Sequence, residues 1–363
     1  MRSKMPIKFL TLTTILGLSL ALLVFSCKKS SSAPPVQLNK TSLTQSIDSA
    51  TWYLTNTSEG TQPGKYTKGT QAALQSALTS AAAVLSNTAS TQSAIDAATA
   101  NLNAAVATYK QGLITPIAAS ALVAYWKFNG NTNDSSGNGH NGTLEAGPVG
   151  LAAVPLGAPS LVADRFGNAN SAYTFAGGGN IDIPYSSALD PQAISVSLWE
   201  RQDTAGRTDH PNDCYMISLS RWNGWKFQTQ PTLPFMTVST DSSIYDKDDA
   251  GTHITVGAGA ANWNHLVVTY DGVNTESFYI NGVLVKTWTG ANGPLGAIKP
   301  INPTYDLAIG SDLTNSAYSP TSTDPNYIGY GGYWTGDLDD IMIYNIPLTA
   351  AQVTQIYNQQ VTQ

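Results

Sequence analysis

Cysteine is nearly absent. The 363 residues carry two, Cys27 and Cys214, so the dense disulfide framework that staples small secreted domains is excluded. Charge is scarce too, at 12% of residues, with 18 Lys and Arg against 24 Asp and Glu and a formal net charge of −6. No basic run longer than Lys28-Lys29 interrupts that acidic balance, which argues against nucleic acid as a partner. Glutamate is rarest where a hydrolase would need it. Beyond residue 120 only Glu145, Glu200 and Glu276 occur, none near another. A retaining glycosidase holds two carboxyl groups roughly 5–5.5 Å apart, which alternation along one strand supplies as E-x-D-x-E. No such strand is present. His140, His210, His253 and His265 are scattered, and neither a Ser-His-Asp signature nor a Cys–His pair can be read. These absences weigh against an enzyme.

The N-terminus is distinctive. Arg2, Lys4 and Lys8 precede the apolar run Phe9–Phe25, which Thr, Ser and Gly17 interrupt. That is a secretory signal over 1–26, too short and poorly flanked for a committed membrane span. Ser26 just before Cys27 resembles the lipobox of bacterial lipoproteins, although Phe25 is bulkier than the pattern prefers. The resemblance implies a lipid on Cys27 and an outer-membrane anchor. An ordinary signal cleaved nearby and an uncleaved anchor are the alternatives. Removing the signal takes away Arg2, Lys4 and Lys8 and no acidic residue, which moves the charge from −6 to −9. With Cys27 acylated, Cys214 has no intrachain partner. Residues 27–36 (KKSSSAPP at their centre) read as a flexible tether. Cys27 is followed by Lys-Lys-Ser rather than an acidic run, which leaves surface against periplasmic orientation open.

Residues 37–114 change character, with Ala, Thr, Gln, Ser and Leu dominant and Gly scarce. Leu43, Ile47, Ala50 and Leu54 recur at helical spacing. So do Leu74, Ala77, Leu78, Ala81 and Leu85, and again Ile95, Ala98, Leu102, Ala105 and Tyr109. Three amphipathic helices with short connections predict an up-down-up bundle. EGTQPGKY and TQSAID in this segment resemble small helical modules found in various architectures of bacterial wall and surface proteins, which implies a spacer. Gly112 and Pro116 end the third helix, and 115–120 serves as a linker.

From 121 onward the pattern becomes alternating and turn-rich. Tyr173–Gly177 and Asn180–Pro184 read as a hairpin around Gly178-Gly179. Ile194–Glu200 alternates as a half-buried strand. Leu266–Tyr270 and Ser277–Ile280 flank Asp271-Gly272, and Asn281-Gly282 turns directly into Val283–Val285. Thr349–Asn358 is a short closing helix with Thr349 as its cap and Gln352 at its third position. Many strands with no alternating helices predict a mainly β, two-sheet antiparallel sandwich.

Five stretches in order carry a family resemblance: ALVAYWKFNGNTNDSSGNGHNG (121–142), DRFGNANSAYTFAGGGNIDIP (164–184), NWNHLVVTYDG (262–272), FYINGVLV (278–285) and GDLDDIMIYNIPLTAAQV (336–353). Together they resemble the laminin-G-like, concanavalin A-type jelly-roll domains common in bacterial surface proteins. The resemblance implies one sandwich over 121–363 and, since that superfamily holds lectins, glycosidases and lyases, leaves the activity open. Asp337, Asp339 and Asp340 match the closing strand of the non-catalytic family, and Asn264-His265 opens a buried strand there.

The Asn/Asp/Ser/Gly loop after the first strand offers the hard oxygens that calcium takes; a turn whose side chains bond their own backbone is the alternative. In the resembling family a calcium ion commonly ties this loop to the closing strand. The resemblance thus implies Asp134 and Asp339 as carboxylate ligands, with Asn131 and the carbonyls of Gly139 or His140 completing a structural site. Asp246, Asp248 and Gly251 also echo a calcium loop, but Gly257 stands where an EF-hand needs its Glu, and a solvated acidic loop is expected there.

The longest irregular excursions are expected at 201–213, 222–232, 241–251 and 290–333. They are dense in aromatic residues, whose faces stack on the C–H faces of sugars. Trp222, Trp225, Tyr330 and Trp334 are the candidate carbohydrate-binding residues. The leading expectation is a lipid-anchored, non-catalytic glycan-binding protein of the bacterial envelope that captures polysaccharide. The alternatives are an adhesion module gripping another protein, and a polysaccharide hydrolase or lyase.

Overall fold

The computed structural model describes residues 37–150, 157–203, 214–256 and 262–361. The signal segment, Cys27 and the tether lie outside the described residues.

The helical repeats form α1 (Thr41–Asn56), α2 (Thr70–Ser86) and α3 (Gln92–Gln111). Leu43, Ala50, Leu74, Ala81, Ile95, Leu102 and Tyr109 are buried between them, the faces their spacing requires. The connection from α1 to α2 folds back on the bundle: Tyr66 stacks on Tyr109 with ring centroids 4.3 Å apart. Glu59 accepts from the Gln71 backbone N–H at 2.6 Å, which places an acidic side chain on the exposed amides at the start of α2. Its role is structural.

The described strands of the sandwich begin with β1 (Leu122–Trp126), β2 (Thr143–Glu145), β3 (Ser160–Val162), β4 (Ala172–Phe175) and β5 (Asn180–Ile183). Next come β6 (Ile194–Gln202), β7 (Cys214–Ser218), β8 (Trp225–Thr229), β9 (Pro234–Ser239) and β10 (Ile244–Asp248). The last are β11 (Asn264–Tyr270), β12 (Thr275–Ile280), β13 (Val283–Thr289), β14 (Leu307–Ile309) and β15 (Gly336–Tyr344), followed by α4 (Ala350–Gln360). One eight-stranded sheet runs β13-β12-β11-β6-β15-β4-β3, with β1 also on β15; the other runs β10-β9-β8-β7-β14-β5-β2. Both are antiparallel, and the two-sheet sandwich is the architecture the alternating pattern requires.

The core lies between the sheets. Trp126, Phe175, Leu198, Ile217, Phe227, Val268, Phe278 and Ile341 meet there, each fully buried large side chain contributing roughly 1.5–3 kcal/mol. A second cluster covers the outer face of the eight-stranded sheet, where Val353 and Ile356 of α4 pack on Val267, Tyr279, Met342 and Tyr344. The Thr349/Gln352 capping box starts α4, and Gln352 Nε2 also donates to Thr115 Oγ1 at 3.1 Å. The cap thereby fastens the linker to the sandwich.

Two expectations of local structure need correction. Tyr173–Gly177 and Asn180–Pro184 are not a hairpin, because β4 pairs with β15 and β3 while β5 pairs with β14 and β2, in the opposite sheet. Gly177 and Gly178, at φ 59° and 79°, turn the chain across the edge of the sandwich, so Phe175 and Ile181 reach one core from its two sides. The excursions at 222–232 and 241–251 contain β8 and β10, strands whose alternation is hidden by Lys, Gln and Asp on the outward face. The β12–β13 hairpin does form, with Asn281 and Gly282 at φ 52° and 76°, the signs of a type I′ turn.

Inside the sandwich, Glu200 of β6 is fully buried and accepts from Asn264 Nδ2 at 2.6 Å. Burial pushes its carboxyl from an ordinary 4.5 up to about 8, against the lowering bonds from Asn264 and Gln202. The folded state thus binds a proton that the unfolded chain releases near 4.5. The resulting stability is fully present below pH ~4.5 and is lost as pH rises through ~8. The melting temperature of the parent is therefore expected to fall relative to that of Glu200→Gln between about pH 5 and pH 8.5. Parallel melting curves of the two proteins across that range would contradict the assignment.

Candidate functional site

The outer face of the seven-stranded sheet is built by the parity of β8. Trp225 and Phe227 point into the core, so Lys226 and Gln228 point outward. Lys226 stands opposite Ser218 of β7 and Thr237 of β9, and Thr237 stands opposite Asp246 of β10. The neighbouring row runs Tyr215, Gln228, Phe235. A cleft of about 440 Å³ opens over these rows, and Trp222, Arg221, Gly329 and Tyr330 form its walls.

The walls come from two segments that one buried ion pair joins. Arg221 precedes Trp222 in the β7–β8 turn, and its Nε donates to Asp312 Oδ2 at 2.6 Å with both side chains almost completely buried. Arg221 Nη1 also donates to the Pro325 carbonyl at 2.8 Å. Asp312 Oδ1 accepts from the Tyr318 hydroxyl at 2.5 Å and the Gly332 amide at 3.1 Å. Burial first, and then the Asp312 carboxylate, push the Tyr318 phenol well above its usual value, so it remains a donor. The segment carrying Tyr327 and Tyr330, an edge-to-face pair 5.1 Å apart, is thereby fixed beside Trp222.

Of the four aromatic residues expected to bind carbohydrate, the cleft brings together two. Trp222 is 42% exposed and Tyr330 59%. Trp225 and Trp334 are 0% exposed, inside the core, and Trp225 Nε1 donates to the Leu189 carbonyl at 2.9 Å. Neither can offer a face to a ligand, which corrects that part of the expectation. Density of aromatics selected all four. Reading WKFQT with a period of two separates Trp225 from the surface and points to Lys226, which aromatic density alone missed. The Lys226 ammonium lies 3.6 Å from the centroid of the Trp222 ring and 5.0 Å from that of Tyr215, so the cation supports the indole from one side. Arg221, Tyr215, Gln230 and Phe235 also line the cleft, and aromatic density does not single them out. Asp246 projects outward from a paired strand rather than from a solvated loop.

The expected calcium ligands do not fit one ion. Asp134 Oδ1 accepts from the amides of Tyr125 and Ser136 at 3.0 and 2.8 Å. Its Oδ2 accepts from the Ser136 hydroxyl at 2.8 Å and the His140 amide at 3.0 Å. Four donors fill the carboxylate's capacity. Against burial, which raises it, the bonds from Ser136, Tyr125 and His140 hold this carboxyl below its usual value. The His140 carbonyl accepts from Trp126 Nε1 at 2.7 Å, and Asn131 Oδ1 from the Asn133 amide at 2.8 Å. Gly139, at φ +87°, shapes this loop. The loop is held by its own hydrogen bonds.

Asp339 belongs to a different network. A bulge in β15 sets Asp340 and Ile341 against a single residue of β6, with Asp340 at φ 46°. Asp339 and Asp340 then both reach Arg165, at 2.6 and 2.7 Å. Arg165 Nη2 also donates to the Gln360 carbonyl at 3.0 Å, and its guanidinium lies 4.5 Å from the Trp199 ring centroid. Burial, and next the neighbouring Asp340, raise the Asp339 carboxyl above its usual range, against the pull of Arg165. The cation that answers the closing strand's carboxylates is the Arg165 guanidinium, from the 164–168 turn.

Comparison with known proteins agrees with the architecture. Residues 175–354 match the model of the concanavalin A-like lectin/glucanases superfamily. Among solved structures, the chain is similar to domain 4 of a GH43 extracellular arabinanase from Geobacillus stearothermophilus, solved in complex with arabinotriose. That match has 22% identity and a TM-score of 0.44 and covers 65% of this chain and 98% of that one. The binding domain of Paraclostridial Mosquitocidal Protein 1 is 16% identical, with a TM-score of 0.46 and coverage of 67% and 53%. The ligand-binding domain of botulinum neurotoxin serotype D, in complex with N-acetylneuraminic acid, is 15% identical, with a TM-score of 0.45 and coverage of 67% and 52%. The match thus spans about half the length of each toxin chain. No curated protein matches the chain.

The clasp gives a direct expectation. Arg165→Met strands two buried carboxylates, at a cost of about 3–5 kcal/mol, and should lower the melting temperature on the order of 10 °C. The parent should melt alike in calcium and in EGTA. A parent that loses several degrees in EGTA would restore a metal to this part of the fold.

Proposed function

We propose that the sandwich is a lectin-like module that binds carbohydrate in the cleft of its seven-stranded sheet. The observation that carries this reading is the pair of half-exposed rings, Trp222 and Tyr330, standing over Gln230 and Asp246, with Lys226 buried beneath the indole. A saccharide presents an apolar C–H face and a rim of hydroxyls. Such a ligand suits aromatic walls above side chains that donate and accept. Asp246 is the one carboxylate lining the cleft among the described residues, whereas glycoside hydrolysis uses two facing groups. That supports capture over cleavage.

Anchoring completes the proposal. Acylated Cys27 would hold the module at the outer membrane, with the helical bundle as spacer. Cys27→Ser is then expected to leave the membrane fraction, since the tether offers no second attachment. Its continued, detergent-dependent retention there would reject the lipoprotein reading.

Binding is tested by retention on a panel of polysaccharides. Trp222→Ala and Tyr330→Ala should each weaken retention by about 1–2 kcal/mol, on the order of tenfold in Kd, with little change in melting temperature. Trp225→Ala and Trp334→Ala should instead destabilise the fold by about 3–5 kcal/mol. A parent that binds no glycan would move the function to adhesion on another protein, and surface variants that bind like the parent would place the glycan site elsewhere on the sandwich.

A further inference from the structure

Among the described residues, the charges that line the cleft are placed in a way that selects among glycans. Arg221 is consumed by Asp312 beneath the floor. Of the remaining described charges that line the cleft, Lys226 is positive and Asp246 negative. The two stand on one row of the sheet with Thr237 between them. Two strand spacings put them roughly 10 Å apart, about the reach of two linked sugar rings along the row.

Their surroundings differ. Lys226 is 1% exposed, with the Trp222 ring over its ammonium. Asp246 is exposed, and only its Oδ1 is engaged, by the Thr237 hydroxyl at 2.6 Å. An ionised carboxylate only accepts, so the β10 end of the cleft calls for a hydroxyl donor and repels an anion. The indole shields the cation that an anionic sugar would seek. The whole chain adds to this, since a net charge of −6 disfavours approach of a polyanion.

Resting on the glycan reading, we infer that the ligand is an uncharged, hydroxyl-rich saccharide segment lying across β8, β9 and β10. Its C–H face stacks on Trp222 and Tyr330, and a hydroxyl donates to Asp246. Uronic acid and sulfated chains are discriminated against by Asp246.

The test measures binding of the full chain to neutral glucan, mannan, xylan and arabinan oligosaccharides, and to matched oligouronates and sulfated oligosaccharides, at low and high salt. At least one neutral oligosaccharide should bind with a Kd that changes less than about twofold with salt, and the acidic members should bind more weakly. Asp246→Ala should weaken the neutral ligand about tenfold. Asp246→Asn, which still accepts a hydroxyl, should restore much of that affinity and narrow the gap to the oligouronates. Tighter, salt-sensitive binding of an acidic oligosaccharide would overturn the inference while leaving the glycan reading intact. An Asp246→Ala variant that folds and binds like the parent would also overturn it. No binding to either group would reject the glycan reading and this inference with it.

Discussion

Guanidinium groups buried against carboxylates hold the irregular parts of this sandwich in place. Arg165 joins the 164–168 turn, the β15 bulge and the end of α4. Arg201 pairs with Asp337 across β6 and β15. Arg221 joins the β7–β8 turn to the segment 312–332 through Asp312. No disulfide is present among the described residues, where Cys214 is a buried thiol. In its place such pairs close long stretches of chain, Arg165 and Asp339 lying 174 positions apart in sequence and Arg221 and Asp312 91 apart. A planar guanidinium suits the task because it bonds several acceptors in fixed geometry while stacking on an aromatic face. Such pairs add modest net stability, but each is costly to break. They specify where the excursions lie more than they drive folding.

That constraint is what turns a sheet face into a site. The outward row of β8 is ordinary strand chemistry; any antiparallel strand with one solvated face presents something similar. It becomes a walled cleft because Arg221 sets Trp222 on one side and the Tyr327–Tyr330 turn on the other. Structure and proposed function are therefore coupled through one residue that need not touch a ligand. The same arrangement removes the Arg221 charge from the cleft, and with it an attraction for anions that the residue would otherwise exert.

Arg165 and the loop of Asp134 show two ways of satisfying carboxylates with groups of the chain itself. Asp134 satisfies its own loop with four hydrogen bonds, and Asp339 and Asp340 are answered by an organic cation. The partner that neutralises them is a matter of three-dimensional placement: Arg165 is 174 residues from Asp339 in the chain.

Local physical chemistry was legible in the sequence wherever it is short-ranged. The periodic helices, the Thr349/Gln352 cap, the Asn281-Gly282 hairpin and the alternating strands follow from steric and hydrogen-bonding preferences acting over a few residues. So did the fold class, while aromatic density pointed to Trp222 and Tyr330, which the structure places in the cleft. What the sequence could not determine is pairing at a distance. Nothing in YTFAGGGNIDI says that its two halves enter opposite sheets, since either arrangement alternates identically. Nothing local marks Trp334 as core and Tyr330 as surface, for both sit in Gly-rich excursions. The ion pairs of Arg165 and Arg221 are likewise invisible, because an arginine's partner is chosen by the packed core that brings it near. Tertiary structure made those decisions by closing two sheets over one interior, which leaves each side chain a single place to go.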